Sequence, residues 1–163
     1  MTGAAASATY KAGRRGYGPM AAGCFAIPAP NVYRPRFYGV DWQTELDDAF
    51  DLIDRQSTGN LAAFIAEPLI LGAGGMLVYP AAILAQMHAI CAKHGVLFIA
   101  DEVMTGWGRT GTLLACEQAG IVPDILCLSK GLTGGSVPLA VTMEEQIKQI
   151  RSWAHERALN ASN

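Results

Sequence analysis

The chain has 163 residues, of which 51% are hydrophobic, and a formal net charge of −2; that is enough apolar material for the core of one domain or of part of one. The near-balanced charge and the lack of a basic run argue against nucleic acid or an anionic membrane surface as the main partner. No stretch of about 18 apolar residues would make a transmembrane helix, and residues 1–18 lack the apolar centre of a secretory signal, so a cytoplasmic location is the default expectation.

In chain order, Met1 to Gly23 is a small-residue segment expected to be irregular. From Phe25 to Tyr38, Pro28, Pro30 and Pro35 favour an extended path over a helix. Thr44 can cap a helix whose Leu46, Ala49, Phe50 and Ile53 recur at helical spacing and which should end near Gly59. Leu61 to Ala66 reads as an apolar strand ending in Glu67-Pro68. The Gly72-Ala73-Gly74-Gly75 turn follows, where glycine permits positive φ or a close backbone approach.

Ala81 to His94 is expected to be a helix with Ile83, Leu84, Met87, Ile90 and Cys91 as its apolar stripe and Gly95 just past its end. The run Val96 to Ala100 is a second strand, ending on Asp101. A short helix around Leu113 to Gln118, stopped by Gly120, leads to a third strand, Ile125 to Leu128, which ends on Ser129-Lys130. Val137 to Thr142 can form one more strand, and Glu144 to about Leu159 has the composition of an exposed helix. Apolar strands alternating with helices predict an α/β fold with a mainly parallel sheet buried on both faces.

Cys24, Cys91, Cys116 and Cys127 form no C-x-x-C pair, and three of them lie in apolar runs, as buried reduced thiols do. His88, His94 and His155 do not join them at metal-ligand spacing, so no metal site is expected.

The chemistry concentrates on Asp101 and Lys130. Each stands at or just beyond the carboxyl end of a strand, and in open α/β sheets ligands sit in the crevice outside those ends. Pyridoxal phosphate (PLP) requires such a pair: a lysine to form an imine with its aldehyde, and a carboxylate to keep its ring nitrogen protonated. From spacing alone the plainer alternative stands equally open, that Asp101 caps a turn and Lys130 is a solvated loop residue. Gly106, Gly108 and Gly111 spell G-x-G-x-x-G, but Asp101 to Thr105 separate them from the strand and no acid ends a second strand about 20 residues on, which disfavours a dinucleotide site.

The stretch Ala100-Asp101-Glu102-Val103-Met104-Thr105-Gly106-Trp107-Gly108-Arg109-Thr110-Gly111, followed by Pro123-Asp124-Ile125 and Leu128-Ser129-Lys130-Gly131-Leu132-Thr133-Gly134-Gly135, resembles the signature of class III PLP-dependent aminotransferases. Glu67-Pro68 through Thr142 is most similar to the adenosylmethionine-8-amino-7-oxononanoate aminotransferases of biotin synthesis. Residues 1–66, with Met1 to Ser7 and Phe50 to Ser57 as the matching stretches, look more like the 2,2-dialkylglycine decarboxylases. The resemblance implies the central part of the large domain of a fold-type I transferase over residues 1–143, followed by a divergent helical tail over 144–163.

It further implies that Lys130 is the Schiff-base lysine, Asp101 the partner of the pyridine nitrogen, Val103 an apolar contact of the ring and Glu67 an orienting acid near the site. Arg109 is expected to anchor its loop rather than to bind substrate. The implied activity is transamination between a small amino donor and a keto acceptor, with a homodimer as the expected assembly. A decarboxylase is one alternative, from the likeness of residues 1–66; a catalytically inactive fragment is the other, because the family's phosphate-binding turn, ring-stacking aromatic, phosphate threonine and substrate arginine are expected outside these residues.

Overall fold

In the computed structural model the described residues are 61–144, together with 27, 29, 30, 44, 47, 48, 51 and 55. Thr44, Asp47, Asp48, Asp51 and Arg55 are helical and exposed, the polar face of the helix expected at Thr44; its apolar positions, like the segment expected beyond 144 and all of residues 1–43 except Ile27, Ala29 and Pro30, lie outside the described residues.

Strand β1 (Ala63–Ala66) comes first, and a small hairpin follows, β2 (Ile70–Leu71) against β3 (Leu77–Val78). Helix α1 (Ala81–His94) leads into β4 (Leu97–Asp101). A 3-10 helix (Ala115–Ala119) precedes β5 (Ile125–Leu128), a short 3-10 turn covers Lys130–Leu132, and β6 (Val141–Glu144) ends the series. The main sheet has four strands in the order β1-β4-β5-β6. The first three are parallel and β6 is antiparallel to β5, so the fold is α/β with a mainly parallel sheet.

Local chemistry explains the boundaries. Pro80 precedes α1 in an extended conformation, and Lys93 and His94 occupy the last turn, where positive charge suits the carbonyl end of the helix. Gly95 adopts a left-handed φ of 65°, and the Val96 N–H reaches back to the Cys91 carbonyl at 2.9 Å, the closing bond of a Schellman motif. The 3-10 helix stops in the same manner at Gly120, also at φ 65°.

Side chains alternate along the strands. In register, Phe64 lies beside Phe98, and Ala66 beside Ala100, which in turn pairs with Leu126. These residues form the core face, where Phe98, Leu126 and Leu128 are fully buried with Ile83, Leu84, Met87 and Cys91 of α1. The Phe98 ring lies 5.8 Å from that of Phe64 and 5.5 Å, edge-on, from the imidazole of His88. Burial of each large apolar side chain there stabilises the fold by about 1.5–3 kcal/mol.

The sequence pattern predicts burial on both faces; among the described residues the other face is only partly covered. Ile65, Ile99, Asp101, Ile125 and Cys127 are half-buried on it and Leu97 is exposed, because α1 packs on the opposite side. Three further differences are local. The helix expected over Leu113 to Gln118 is a 3-10 helix, set by hydrogen bonds that Glu102 makes at its start. The last strand begins at Val141 rather than Val137, since the Thr133, Ser136 and Ser129 hydroxyls donate to the carbonyls of Val137, Thr133 and Leu139 at 2.7 Å each and residues 133–137 form turns and bends ahead of Pro138. The glycine turn is the connection of the β2–β3 hairpin, with Gly75 at φ 106°.

Candidate active site at the carboxyl ends of three adjacent strands

Neighbouring strands β1, β4 and β5 point their carboxyl ends the same way. Each delivers one of the singled-out charges there: Glu67 directly after β1, Asp101 as the last residue of β4, and Lys130 two residues after β5. Glu67 and Asp101 follow the register pair Ala66 and Ala100, so strand alternation sends both carboxyl groups away from the core face.

Glu67 is buried, and its Oε2 accepts the Gly72 N–H at 2.7 Å. Its Oε1 is buried with no hydrogen-bond partner, and its backbone carbonyl accepts the buried Tyr79 hydroxyl at 2.6 Å. Desolvation raises the Glu67 pKa above its ordinary value, against the pull of the Gly72 N–H; the negative charge of Asp101 adds to the rise, while the Ala73 N–H and Lys130 oppose it. Asp101 is half-buried and also raised by desolvation, with the Val103 N–H, 3.3 Å from Oδ1, and Lys130 acting in the opposite sense. Cys127, register partner of Asp101, is raised by desolvation; its contact with the Thr142 hydroxyl lowers it and the Asp101 charge raises it. The three charges therefore share one electrostatic environment. A partly desolvated carboxyl group with one long hydrogen bond gains strongly from a cationic partner.

Lys130 is exposed and begins the turn closed by the Leu132 N–H on the Ser129 carbonyl at 2.8 Å. Its φ is 28°, a left-handed value that costs a non-glycine residue about 1–3 kcal/mol. Val103 is half-buried beside Asp101, and Arg109 is exposed on the loop beyond.

Two acids that the sequence pattern gives no role, Glu102 and Asp124, and two glycines that it does mark, Gly72 and Gly106, hold this arrangement. Glu102, fully buried, points the other way from Asp101: Oε2 accepts the Ala115 N–H at 2.7 Å and Oε1 the Cys116 N–H at 2.8 Å, with the Thr105 hydroxyl 3.4 Å from Oε2. It thereby closes the loop 103–114 and caps the 3-10 helix, the role that side-chain oxygens play at helix starts. Only the adjacency of two acids after an apolar strand hinted at it, and spacing cannot say which of the two turns inward. Asp124 exchanges two bonds with Phe98: its Oδ2 accepts the Phe98 N–H at 2.7 Å and its own N–H donates to the Phe98 carbonyl at 3.0 Å. Gly106 is required by contact, since a β-carbon there would stand 2.9 Å from the Glu102 carbonyl and from Leu128 Cδ2. At Gly72 a β-carbon would overlap Met104 Sδ and lie 3.2 Å from Glu67 Oε2.

Among the described residues no group of three His, Cys, Asp or Glu side chains could hold a metal ion, and no helix is long and apolar enough to cross a membrane.

The chain matches the class-III aminotransferase family over residues 1–156. It is 46% identical to an uncharacterized aminotransferase of Schizosaccharomyces pombe over 92% of its own length and 34% of that protein. To an adenosylmethionine-8-amino-7-oxononanoate aminotransferase of Nitratidesulfovibrio vulgaris it is 44% identical, over 78% of this chain and 24% of the relative. Among solved structures, the omega transaminase of Pseudomonas jessenii in complex with PMP superposes with a TM-score of 0.71 at 33% identity, covering 82% of this chain and 30% of that one. An amine transaminase from an uncultivated Pseudomonas species, in its PLP-bound form, gives 0.68 at 41% identity over 77% and 29%. The chain thus spans about a third or less of the length of these relatives.

Proposed function

Because the chain belongs to the class-III aminotransferase family, we propose that it supplies the lysine and the ring-nitrogen acid of a PLP-dependent enzyme that transfers an amino group from a small amino donor to a keto acceptor. The observation that carries this reading is the convergence of Glu67, Asp101 and Lys130 at the carboxyl ends of three adjacent strands. Residues 1–143 are read as part of the PLP-binding large domain, residues 144–163 as a divergent helical tail, and the working enzyme as a cytoplasmic homodimer. The relatives of the adenosylmethionine-8-amino-7-oxononanoate type support the same reaction, in biotin synthesis, as the specific activity.

The residues present suit the cofactor. Asp101 has acceptor capacity left after its one long bond to Val103, in surroundings that favour a positive partner, so it would hold the protonated ring nitrogen. Val103 would add apolar contact with the ring. Glu67 Oε1, buried and unpartnered, would orient a donor on the cofactor or substrate. When bound, PLP supplies an aldehyde open to attack by an amine and a ring that draws electrons from the substrate Cα. Lys130 Nζ would hold the aldehyde end of the cofactor and, as a general base, would take the proton from the substrate Cα.

The test is to add PLP to the purified chain, follow absorbance near the edge of the visible range, and trap the adduct with borohydride for peptide mapping. A new band and an adduct on Lys130, both abolished by Lys130→Ala, support the reading. No band and no adduct at saturating PLP would overturn it and leave a fragment without catalysis. With activity in hand, adenosylmethionine as donor and 8-amino-7-oxononanoate as acceptor test the specific reaction; carbon dioxide from 2-aminoisobutyrate would identify a decarboxylase instead.

A further inference from the structure

Trp107 stands between the two strand ends. It belongs to the loop that leaves β4, yet a β-carbon at position 131 would lie 2.6, 2.7 and 2.8 Å from its Cβ, Cδ1 and Cγ. The five-membered edge of the indole therefore rests directly on the backbone of Gly131, the residue after Lys130.

Three local costs meet at this contact. Trp107 has a left-handed φ of 62° and Lys130 one of 28°. The indole Nε1–H is buried with no hydrogen-bond partner. Backbone in such conformations persists only where its surroundings over-determine it, and an aromatic ring held without satisfying its own donor is not there for its hydrogen bond.

What fixes the ring is the loop. The Gly106 N–H bonds the Glu102 carbonyl at 3.0 Å, the Gly108 N–H bonds the Leu113 carbonyl at 3.2 Å, and the buried Glu102 carboxylate secures the far end at Ala115 and Cys116. Across the contact, the Lys130 turn is held near the surface, by the Leu132 N–H on the Ser129 carbonyl at 2.8 Å, the Gly134 N–H on the Gly131 carbonyl at 3.4 Å and the Ser129 hydroxyl on the Leu139 carbonyl at 2.7 Å; Lys130 and Gly131 are exposed, and Leu132 is half-buried. The loop is secured by buried bonds to Glu102 and the turn that carries the lysine by exposed ones, so the loop is the stiffer partner.

We infer that Trp107 is a positioning residue for Lys130: its indole, braced by the loop 103–114, clamps the Gly131 backbone and so sets where the lysine stem starts relative to Asp101. The inference rests on Lys130 as the cofactor lysine, but the clamp itself is a statement about backbone and can be measured without cofactor.

The experiment compares the wild-type chain with Trp107→Phe, Trp107→Leu, Gly131→Ala and Lys130→Ala. Hydrogen exchange of the Leu132 amide is measured without cofactor, with the α1 amides as the internal reference. The rate of borohydride-trapped PLP attachment to Lys130, and its pH profile, are measured by peptide mapping. Trp107→Leu, which keeps apolar bulk but lacks a flat ring, should speed Leu132 exchange by about tenfold with α1 unchanged. It should also slow attachment and shift its pH midpoint. Trp107→Phe should restore both, because the plane is kept and only the unpaired donor is lost. Gly131→Ala should behave as Trp107→Leu. The clamp is overturned if Leu132 exchange stays at the wild-type value in Trp107→Leu, if α1 loosens in parallel with it, or if attachment rate and pH midpoint do not change. Absence of Lys130-dependent attachment in the wild type would instead sink the cofactor reading, while the exchange comparison still decides the clamp.

Discussion

Replacing Glu102 by glutamine changes almost nothing in shape and should change stability markedly. Both oxygens of Glu102 are committed, one to the Ala115 N–H and the other to the Cys116 N–H, at 2.7 and 2.8 Å in a fully buried position. Glutamine can accept only one of those bonds. Its amide NH2 must point at the other N–H, so a donor faces a donor. A hydrogen bond to a charged group contributes about 1.5–3 kcal/mol and a stranded buried donor costs about 1–3 kcal/mol; the lighter desolvation of a neutral side chain offsets part of this. The net loss should be about 2–3 kcal/mol, which for a chain of this length lowers the thermal midpoint by about 4–12 °C. Thr105→Val, which removes only the 3.4 Å contact, should cost less than about 1 kcal/mol. Thermal and urea unfolding followed by circular dichroism would measure both. A Glu102→Gln loss below about 0.5 kcal/mol would refute the view that this carboxylate, rather than general packing, secures the loop and the 3-10 helix.

Other substitutions probe the same end of the sheet. Burial raises the Glu67 and Asp101 pKa values above 4.5 and 3.8, so the folded chain binds protons more readily than the unfolded one, and these groups favour folding below those values and lose that contribution as pH rises through their folded pKa values. Glu67→Gln should flatten the fall of stability across that window in a series of melts at graded pH; a slope equal to wild type would contradict the assignment. Gly72→Ala should destabilise by about 1–3 kcal/mol through overlap with Met104, and Met104→Ala should relieve most of that cost; a double-mutant cycle with no coupling would show that the two side chains do not meet. Tyr79→Phe removes the 2.6 Å bond to the Glu67 carbonyl and should cost about 1–2 kcal/mol in urea unfolding, with no measurable loss arguing against the bond.

Much of this architecture was legible because it depends on period and punctuation. The stripe from Ile83 to Cys91 with Gly95 behind it specified α1, and the apolar runs that end on Glu67, Asp101 and Ser129-Lys130 specified strands whose charged ends could only meet if the strands were parallel neighbours. What was not legible depends on contacts between distant residues. The inward turn of Glu102, the laying of Trp107 on Gly131 and the choice of 3-10 over α-helical turns at Ala115 each follow from a partner more than ten residues away. β6 pairs antiparallel with β5 because the turns over residues 133–137 return the chain, which apolar content alone does not reveal.

The reciprocal bonds between Asp124 and Phe98 have a consequence for how the chain finds its final form. They sit where β5 first meets β4 and act as an index mark for the pairing that follows. A slip by one residue would turn Leu126 and Leu128 out to water and Cys127 inward, and it would carry Lys130 away from Asp101 in the same movement. Correct folding and assembly of the charged cluster are thus one event. A ligand that needs both residues would bind only correctly threaded molecules and draw the population toward them, serving as a proofreader of strand alignment before it serves any chemistry.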